Sequence, residues 1–350
     1  MHMADALLAP AVAATMYVAS GTAAGISIHH LKKEDDPQKL PTMAVSAALV
    51  FAGQMINYTI PGTGSSGHMC GGMLLSALLG PQAGFLSMIV ILTIQSLFFA
   101  DGGLMALGAN VWNMAFYGCF VGYYLIWRPI IRSSFFGHDR SAYRKRIIMA
   151  SILGCVITLQ LGALSVVIET SLSGITDLPF GAFLALMQPI HLAIGLVEGL
   201  ITSAVLCFVF VSRPELLQDV EEGGEELKRR GSLRSTILVL ALVALVVGGG
   251  LSLLASGNPD GLEWALFGNE EAGYSSNMGL DEEDFGVDSQ AAQTAESIQE
   301  KTSFLPDYAF PGSDNPAGTS FSGIVGSAIV AGIALLICLA GGFFCKRKKA

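Results

Sequence analysis

Long apolar runs punctuate this chain, and they limit its fold more than any single motif does. Runs able to cross about 30 Å of hydrocarbon occupy 8–28, 41–57, 84–100, 104–127, 147–168, 187–211, 236–256 and 321–344. A shorter, Gly-rich run at 69–80 precedes Pro81. Within lipid, only helices and closed barrels satisfy every backbone N–H and C=O, and these runs lack the period-two alternation of barrel strands. The expectation is an all-α polytopic membrane protein with nine crossings. Composition agrees: charged residues are only 13% and hydrophobic ones 52%, with a mean hydropathy of +0.58, whereas soluble domains average roughly 25% charged residues. Cys70, Cys119, Cys155, Cys207, Cys338 and Cys345 are scattered without paired spacing and read as small packing residues, not as disulfides or a zinc site.

Lysine and arginine set the orientation. With the amino terminus outside, the inside segments 29–40, 81–83, 128–146, 212–235 and 345–350 hold 18 of the 19 basic residues, and Lys301 alone lies outside. Basic residues mark the cytoplasmic side, so the expectation is a multi-pass protein of the cytoplasmic membrane with a cytoplasmic carboxyl terminus. A crossing at 69–80 is needed to keep the later basic loops on that side. Two crossings after Met1, residues 58–68 then return to the same outer face as the amino terminus.

That shared face suggests a metal site. No basic segment precedes the first apolar run as in a secretory signal, and a second-position histidine protects Met1 from trimming. The Met1 amine, the His2 backbone nitrogen and His2 Nδ1 can close a five- and a six-membered chelate ring on one ion. His68, in Ile60-Pro61-Gly62-Thr63-Gly64-Ser65-Ser66-Gly67-His68, would supply a fourth nitrogen. Four nitrogens in a plane favour Ni²⁺ or Cu²⁺ over Zn²⁺ or Mg²⁺. The bland alternative is a solvated terminal histidine.

Met1-His2-Met3-Ala4-Asp5-Ala6-Leu7-Leu8-Ala9-Pro10 resembles the start of the cobalt/nickel M component of energy-coupling-factor importers. The His68 loop, Gly71-Gly72, Leu79-Gly80-Pro81, Phe99-Ala100-Asp101-Gly102-Gly103-Leu104, Leu107-Gly108-Ala109-Asn110-Val111 and His191-Leu192-Ala193-Ile194-Gly195 are similar to that family as well. The resemblance covers 1–212 and implies seven transmembrane helices. It also implies a metal held by Met1, His2 and His68, with Ni²⁺ or Co²⁺ as the transported substrate. Cobalt in this family serves cobalamin synthesis. Implied partners are a transmembrane coupling (T) subunit and ATPase (A) subunits. Where two aliphatic residues are expected the chain has Met69-Cys70, so Cys70 is either a soft extra ligand or packing.

Beyond an inside linker at 213–235, the region 236–350 resembles the small N component that accompanies the M component. Asn258-Pro259-Asp260-Gly261-Leu262-Glu263-Trp264 and Leu305-Pro306-Asp307-Tyr308 are similar to its PDGLE signature. Two helices there flank an outer segment, 257–320, with thirteen carboxylates against Lys301. It reads either as a surface that concentrates cations or as a solvated loop, most disordered at 275–300.

Polar residues inside or beside spans are further candidates. His191 and Glu198, two helical turns apart on one face, suit an outer shell around the metal, a partner contact or a buried pair. Asn57, Ser66, Asn110 and Asn113 either lock the His68 loop or bond helix to helix. Asp101 reads as a turn residue. No phosphate-loop, His-Glu-x-x-His or nucleophile-elbow motif occurs, so no enzyme activity, organic cofactor or nucleic-acid partner is expected. Two competing classes stay open: a proton-coupled transporter using Glu198 and His191, and an intramembrane hydrolase with His68 as base and Ser65, Ser66 or Cys70 as nucleophile.

Overall fold

The computed structural model describes all residues except 34–38, 135, 138, 176–177, 221–231, 271, 274–277, 279–285, 287–288, 314 and 348–350. Its described parts are helical apart from a small hairpin. The elements are α1 Pro10–Leu31, α2 Lys39–Gln54, β1 Tyr58–Ile60, β2 Ser65–Gly67, α3 Gly72–Leu79, α4 Pro81–Phe99, α5 Leu107–Arg132, α6 Arg140–Leu172, α7 Phe180–Ser212, α8 Leu233–Gly249, α9 Gly261–Phe267, α10 Gln290–Thr302 and α11 Ala317–Arg347. Helix α5 is wound in the wider i→i+5 manner over Val111–Trp127. Among the described residues, seven helices are long and apolar enough to cross a membrane.

Two of the nine expected crossings take another form. Helix α2 has 16 residues, about 24 Å at 1.5 Å per residue. Helix α3 has only eight, all buried, and about 12 Å cannot span lipid. Gly71 (φ 88°) and Gly80 (φ 83°) bracket it, left-handed positions that stop a helix cheaply only at glycine. Chain at 68–71 leads from the hairpin directly into α3. At its far end Gln218 N–H donates to Ala77 O at 2.9 Å. Trp127 Nε1–H, at the end of α5, donates to Gln218 O at 3.0 Å.

Close helix crossings rest on glycine, as is common where lipid offers no hydrophobic drive between helices. A Cβ on Gly195 would lie 2.9 Å from Val156 Cα, and one on Gly199 would lie 2.6 Å from Ile152 Cα. This joins α7 to α6. Likewise Gly118 of α5 meets Gly72 of α3, and Gly248 of α8 meets Gly323 of α11. The pair α8/α11 lies against α2, where Ser327 Oγ donates to Ala48 O at 3.3 Å.

The acidic segment is more ordered than expected where it is described. Within the stretch expected to be most disordered, 290–302 form α10, N-capped by the Ser289 side chain. The physical reason is local: Ser289 accepts from Ala292 N–H, and Gln299 reaches into the protein, donating to Ser96 O and Gly102 O at 3.0 Å each. Most of 274–288 and the middle of the 213–235 linker fall outside the described residues.

Candidate metal site

The amino terminus does not project into solvent. Residues 1–8 thread back into the protein, and Met1, Met3, Leu7 and Leu8 are buried. Met3 is gripped by Asn110, which accepts from Met3 N–H at 2.8 Å and donates to Met3 O at 3.1 Å. Gly103 N–H donates to Met3 O as well, at 2.9 Å. Asp5 Oδ1 accepts from Ala106 N–H at 2.8 Å. Such bonds fix the chain on either side of His2.

The hairpin brings His68 to the same place. Tyr58 pairs with Gly67 and Ile60 with Ser65, and the next residue after the hairpin is His68. The His2 and His68 ring centroids lie 5.4 Å apart at 67°. In the chelate His68 would take the corner next to the His2 ring, where an ion about 2.0–2.1 Å from one nitrogen of each ring holds the centroids about 4.5 Å apart. The two rings would close by about 1 Å to share an ion. His68 Nδ1–H donates to Met69 O at 3.1 Å, which leaves the lone pair on Nε2. Burial, then the neighbouring Met1 ammonium and His2, push the His68 imidazole down to about 4. It is therefore neutral at physiological pH and needs no deprotonation to bind a cation.

Two carboxylates hold the other donors. The Met1 ammonium pairs with Asp260 Oδ2 at 2.5 Å. Burial alone would lower the amine, but the charge and hydrogen bond of Asp260 outweigh it and raise the amine above its ordinary value. Burial would likewise raise Asp260, and the ammonium more than reverses this, holding that carboxyl low. His2 Nδ1 pairs with Asp101, which also accepts from the Tyr308 hydroxyl. Asp101 is held below the usual carboxylate range, with burial opposed by His2 and Tyr308. Asp101 is thus more than the turn residue its Asp-Gly-Gly context suggests. Glu263, beside Asp260, is pushed up to about 7 by that charge and by burial.

A cavity with about 10 Å³ of free volume, room for one water or one ion, is lined by Met1, His68, Cys70, His191 and Asp260 among others. Among the described residues, no three His, Cys, Asp or Glu side chains converge to hold an ion. Besides side chains, the main-chain nitrogens of residues 1 and 2 are donors within reach of this place. Residues 2–216 match the model of CbiM, described as a cobalt uptake substrate-specific transmembrane region. The chain belongs to this family. Residues 234–341 match the PDGLE domain.

Relatives of this CbiM-family chain span both parts. A putative fused nickel transport protein NikMN of Archaeoglobus fulgidus is 36% identical, with 94% of this chain and 95% of that protein aligned. The fused nickel transport protein NikMN of Rhodobacter capsulatus is 32% identical over 96% of each. The cobalt transport protein CbiM of Sorangium cellulosum is 31% identical over 63% of this chain and 96% of its own. A crystal structure of a truncated transition metal transporter superposes with a TM-score of 0.51 at 31% identity, covering 60% of this chain and 98% of that one.

The other candidates serve the site from a distance. Glu198 accepts from Cys70 N–H at 2.7 Å and Gly71 N–H at 2.8 Å, pinning the chain just after His68. Ser66 bonds the hairpin to the PDGLE-type segment, its N–H and Oγ each donating at 2.8 Å to Pro259 O and Asn258 O. Asn57 binds the same segment through its carbonyl, which accepts from Ser256 N–H at 2.7 Å. Asn113 donates to Glu169 at 2.8 Å, joining α5 to α6, and to Met3 Sδ at 3.6 Å, so it helps Asn110 hold the terminus. His191 Nδ1–H donates to Met187 O at 2.8 Å within its own helix. Cys70 Sγ–H points to Met114 O at 3.1 Å, a packing role in this state. Ser65 and Ser66 are tied to Thr63 and to the 258–259 carbonyls, with no imidazole bond that would activate a nucleophile.

Proposed function

We propose that this protein is the substrate-capture membrane component of an ATP-driven energy-coupling-factor importer for transition-metal ions, preferring Ni²⁺ and accepting Co²⁺. The observation that carries the reading is the meeting of the Met1 amine, His2 and His68 beside an ion-sized cavity. Two carboxylates hold the donors of the terminus, Asp260 on the Met1 ammonium and Asp101 on His2 Nδ1. An arriving M²⁺ displaces protons from the amine and the His2 amide, and His2 Nδ1, whose proton leaves or passes to Nε2, exchanges Asp101 for the ion. The resulting four nitrogens in a plane give a strong field that rewards the d⁸ ion, and the general affinity order places Ni²⁺ above Co²⁺.

The same reading assigns the capture face to the outside of the cytoplasmic membrane. Arg132 and Arg140 lie at the opposite helix ends, bonding Asp219 and Val211 O, as basic residues do on cytoplasmic surfaces. Residues 1–212 form the capturing M component, 213–235 the linker and 236–350 the N component. The fused N part closes over the site through Ser256, Pro259 and Asp260. Transport, not catalysis, is its role, with T and A subunits supplying the energy of reorientation. Reconstitution with those partners in proteoliposomes tests it: Ni²⁺ uptake should need ATP hydrolysis and survive a protonophore. Uptake driven by a proton gradient without ATP would instead favour the proton-coupled class.

A further inference from the structure

The reading above assigns the ion no route once it leaves the chelate. His191 is 1% exposed and sits two turns before Glu198 in α7. Its Nδ1–H is committed to Met187 O, so Nε2 carries the lone pair. That lone pair is buried and has no hydrogen-bond partner. A buried acceptor without a donor is costly and rare. The ring faces the ion-sized cavity that Met1 and His68 also line. Gly261 opposes it, where an added Cβ would sit 3.4 Å from His191 Cε1 and 2.5 Å from Ile190 Cγ2, so only glycine leaves this space open. A second, narrower cleft, without room for a water molecule, adjoins the first. The two share Cys70, Met114 and Leu159, and the deeper one reaches Thr158 and Glu198 beside α3.

We propose that His191 Nε2 is a transit ligand, the first group to take the ion from the terminal chelate on its way through the protein. The inference rests on the capture reading. His2 does not line the cavity, whereas Met1 and His68 do. The ion therefore moves by exchanging the His2 nitrogens for His191 while His68 stays bound. An imidazole suits every divalent ion of this class, Co²⁺ and Ni²⁺ included. Neutral Nε2 on a ring locked by its other nitrogen is the usual state of a metal-binding histidine. Glu198 lines the second cleft.

The decisive variant is His191→Asn. Its amide can still donate to Met187 O, in place of Nδ1–H, but offers nothing at the position of Nε2. His191→Gln places a polar group near that position instead. Ni²⁺ affinity is measured by calorimetry on the purified full chain with an authentic Met1, and uptake in the reconstituted importer. For His191→Asn the expected result is affinity within about threefold of wild type, an unchanged half-saturating concentration, and a maximal uptake rate lower by at least tenfold. His191→Gln should recover part of that rate. Wild-type uptake by His191→Asn would overturn the proposal. So would loss of capture affinity in both variants, which would make His191 part of the capture site or of the fold. Failure of the wild type itself to bind Ni²⁺ would sink the capture reading first, a result distinct from either.

Discussion

The ion pair between Met1 and Asp260 makes proton competition the most quantitative handle on the site. A metal ion must displace a proton from the amine, which Asp260 raises above its ordinary 8.0, and another from the His2 amide. His68, at about 4, contributes no proton above pH 5. Apparent Ni²⁺ affinity should therefore rise at least about 100-fold per pH unit through neutrality, because at least two protons leave. The slope should ease only above the raised amine value. Each unit by which Asp260 raises the amine weakens binding at pH 7 by about tenfold, ~1.4 kcal/mol. In Asp260→Asn the amine loses its carboxylate while the helix keeps a good N-cap, so the break in slope should move to lower pH. Calorimetric or chelator-competition titrations of both proteins from pH 6 to 9.5 read this directly. An identical break in wild type and Asp260→Asn would refute the claim that the pair sets the amine.

Other consequences follow from the same geometry. Stability from this pair should be confined to a pH window. The raised amine contributes fully below about pH 8 and loses its contribution as pH climbs through its folded value; the depressed Asp260 contributes above about pH 4 and loses it on further acidification. Unfolding monitored against pH should show Asp260→Asn narrowing the gap to wild type at both ends. His68→Ala should lower Ni²⁺ affinity by at least about 10–100-fold, since even an outer partner of a ligand is worth that much; a variant that binds as tightly as wild type would remove His68 from the donor set. Gly71→Ala should cost about 1–2 kcal/mol for its left-handed backbone, with further strain where the new Cβ would overlap Val50 Cγ1. Thermal unfolding should register that loss, and weaker Ni²⁺ binding should accompany it, because the His68 loop runs into Gly71.

Most of the helical architecture was legible because apolar length is a coarse signal that tertiary packing does not alter. The meeting of Met1 with the His68 loop needed only parity of crossings. What failed was length within an apolar run: 69–80 is hydrophobic whether it is helix or extended chain, and the glycines at 71 and 80 were the available warning. Asp101 was misjudged because Asp-Gly-Gly is a sound turn signal, and nothing local reveals that Tyr308 and His2 converge on it. Asp260 disappeared into a row of thirteen carboxylates. Its capping box with Glu263 was visible in the spacing, but its partner, an amine 259 positions away, was not. The order of α10 likewise rests on a tertiary anchor, Gln299 against Ser96 and Gly102, which composition cannot supply.

The central claim is that the terminal amine and the His2 nitrogens, with His68, hold the transported ion. One measurement addresses it most directly: Ni²⁺ titration of the purified chain with an authentic Met1 against the same chain carrying a single glycine before Met1. The added residue turns the amine into an amide and needs about 3.8 Å of new chain beside a cavity with about 10 Å³ free. The account predicts one tightly bound ion for the authentic chain and loss of tight binding for the extended one, with helical content unchanged. Equal affinities would contradict it.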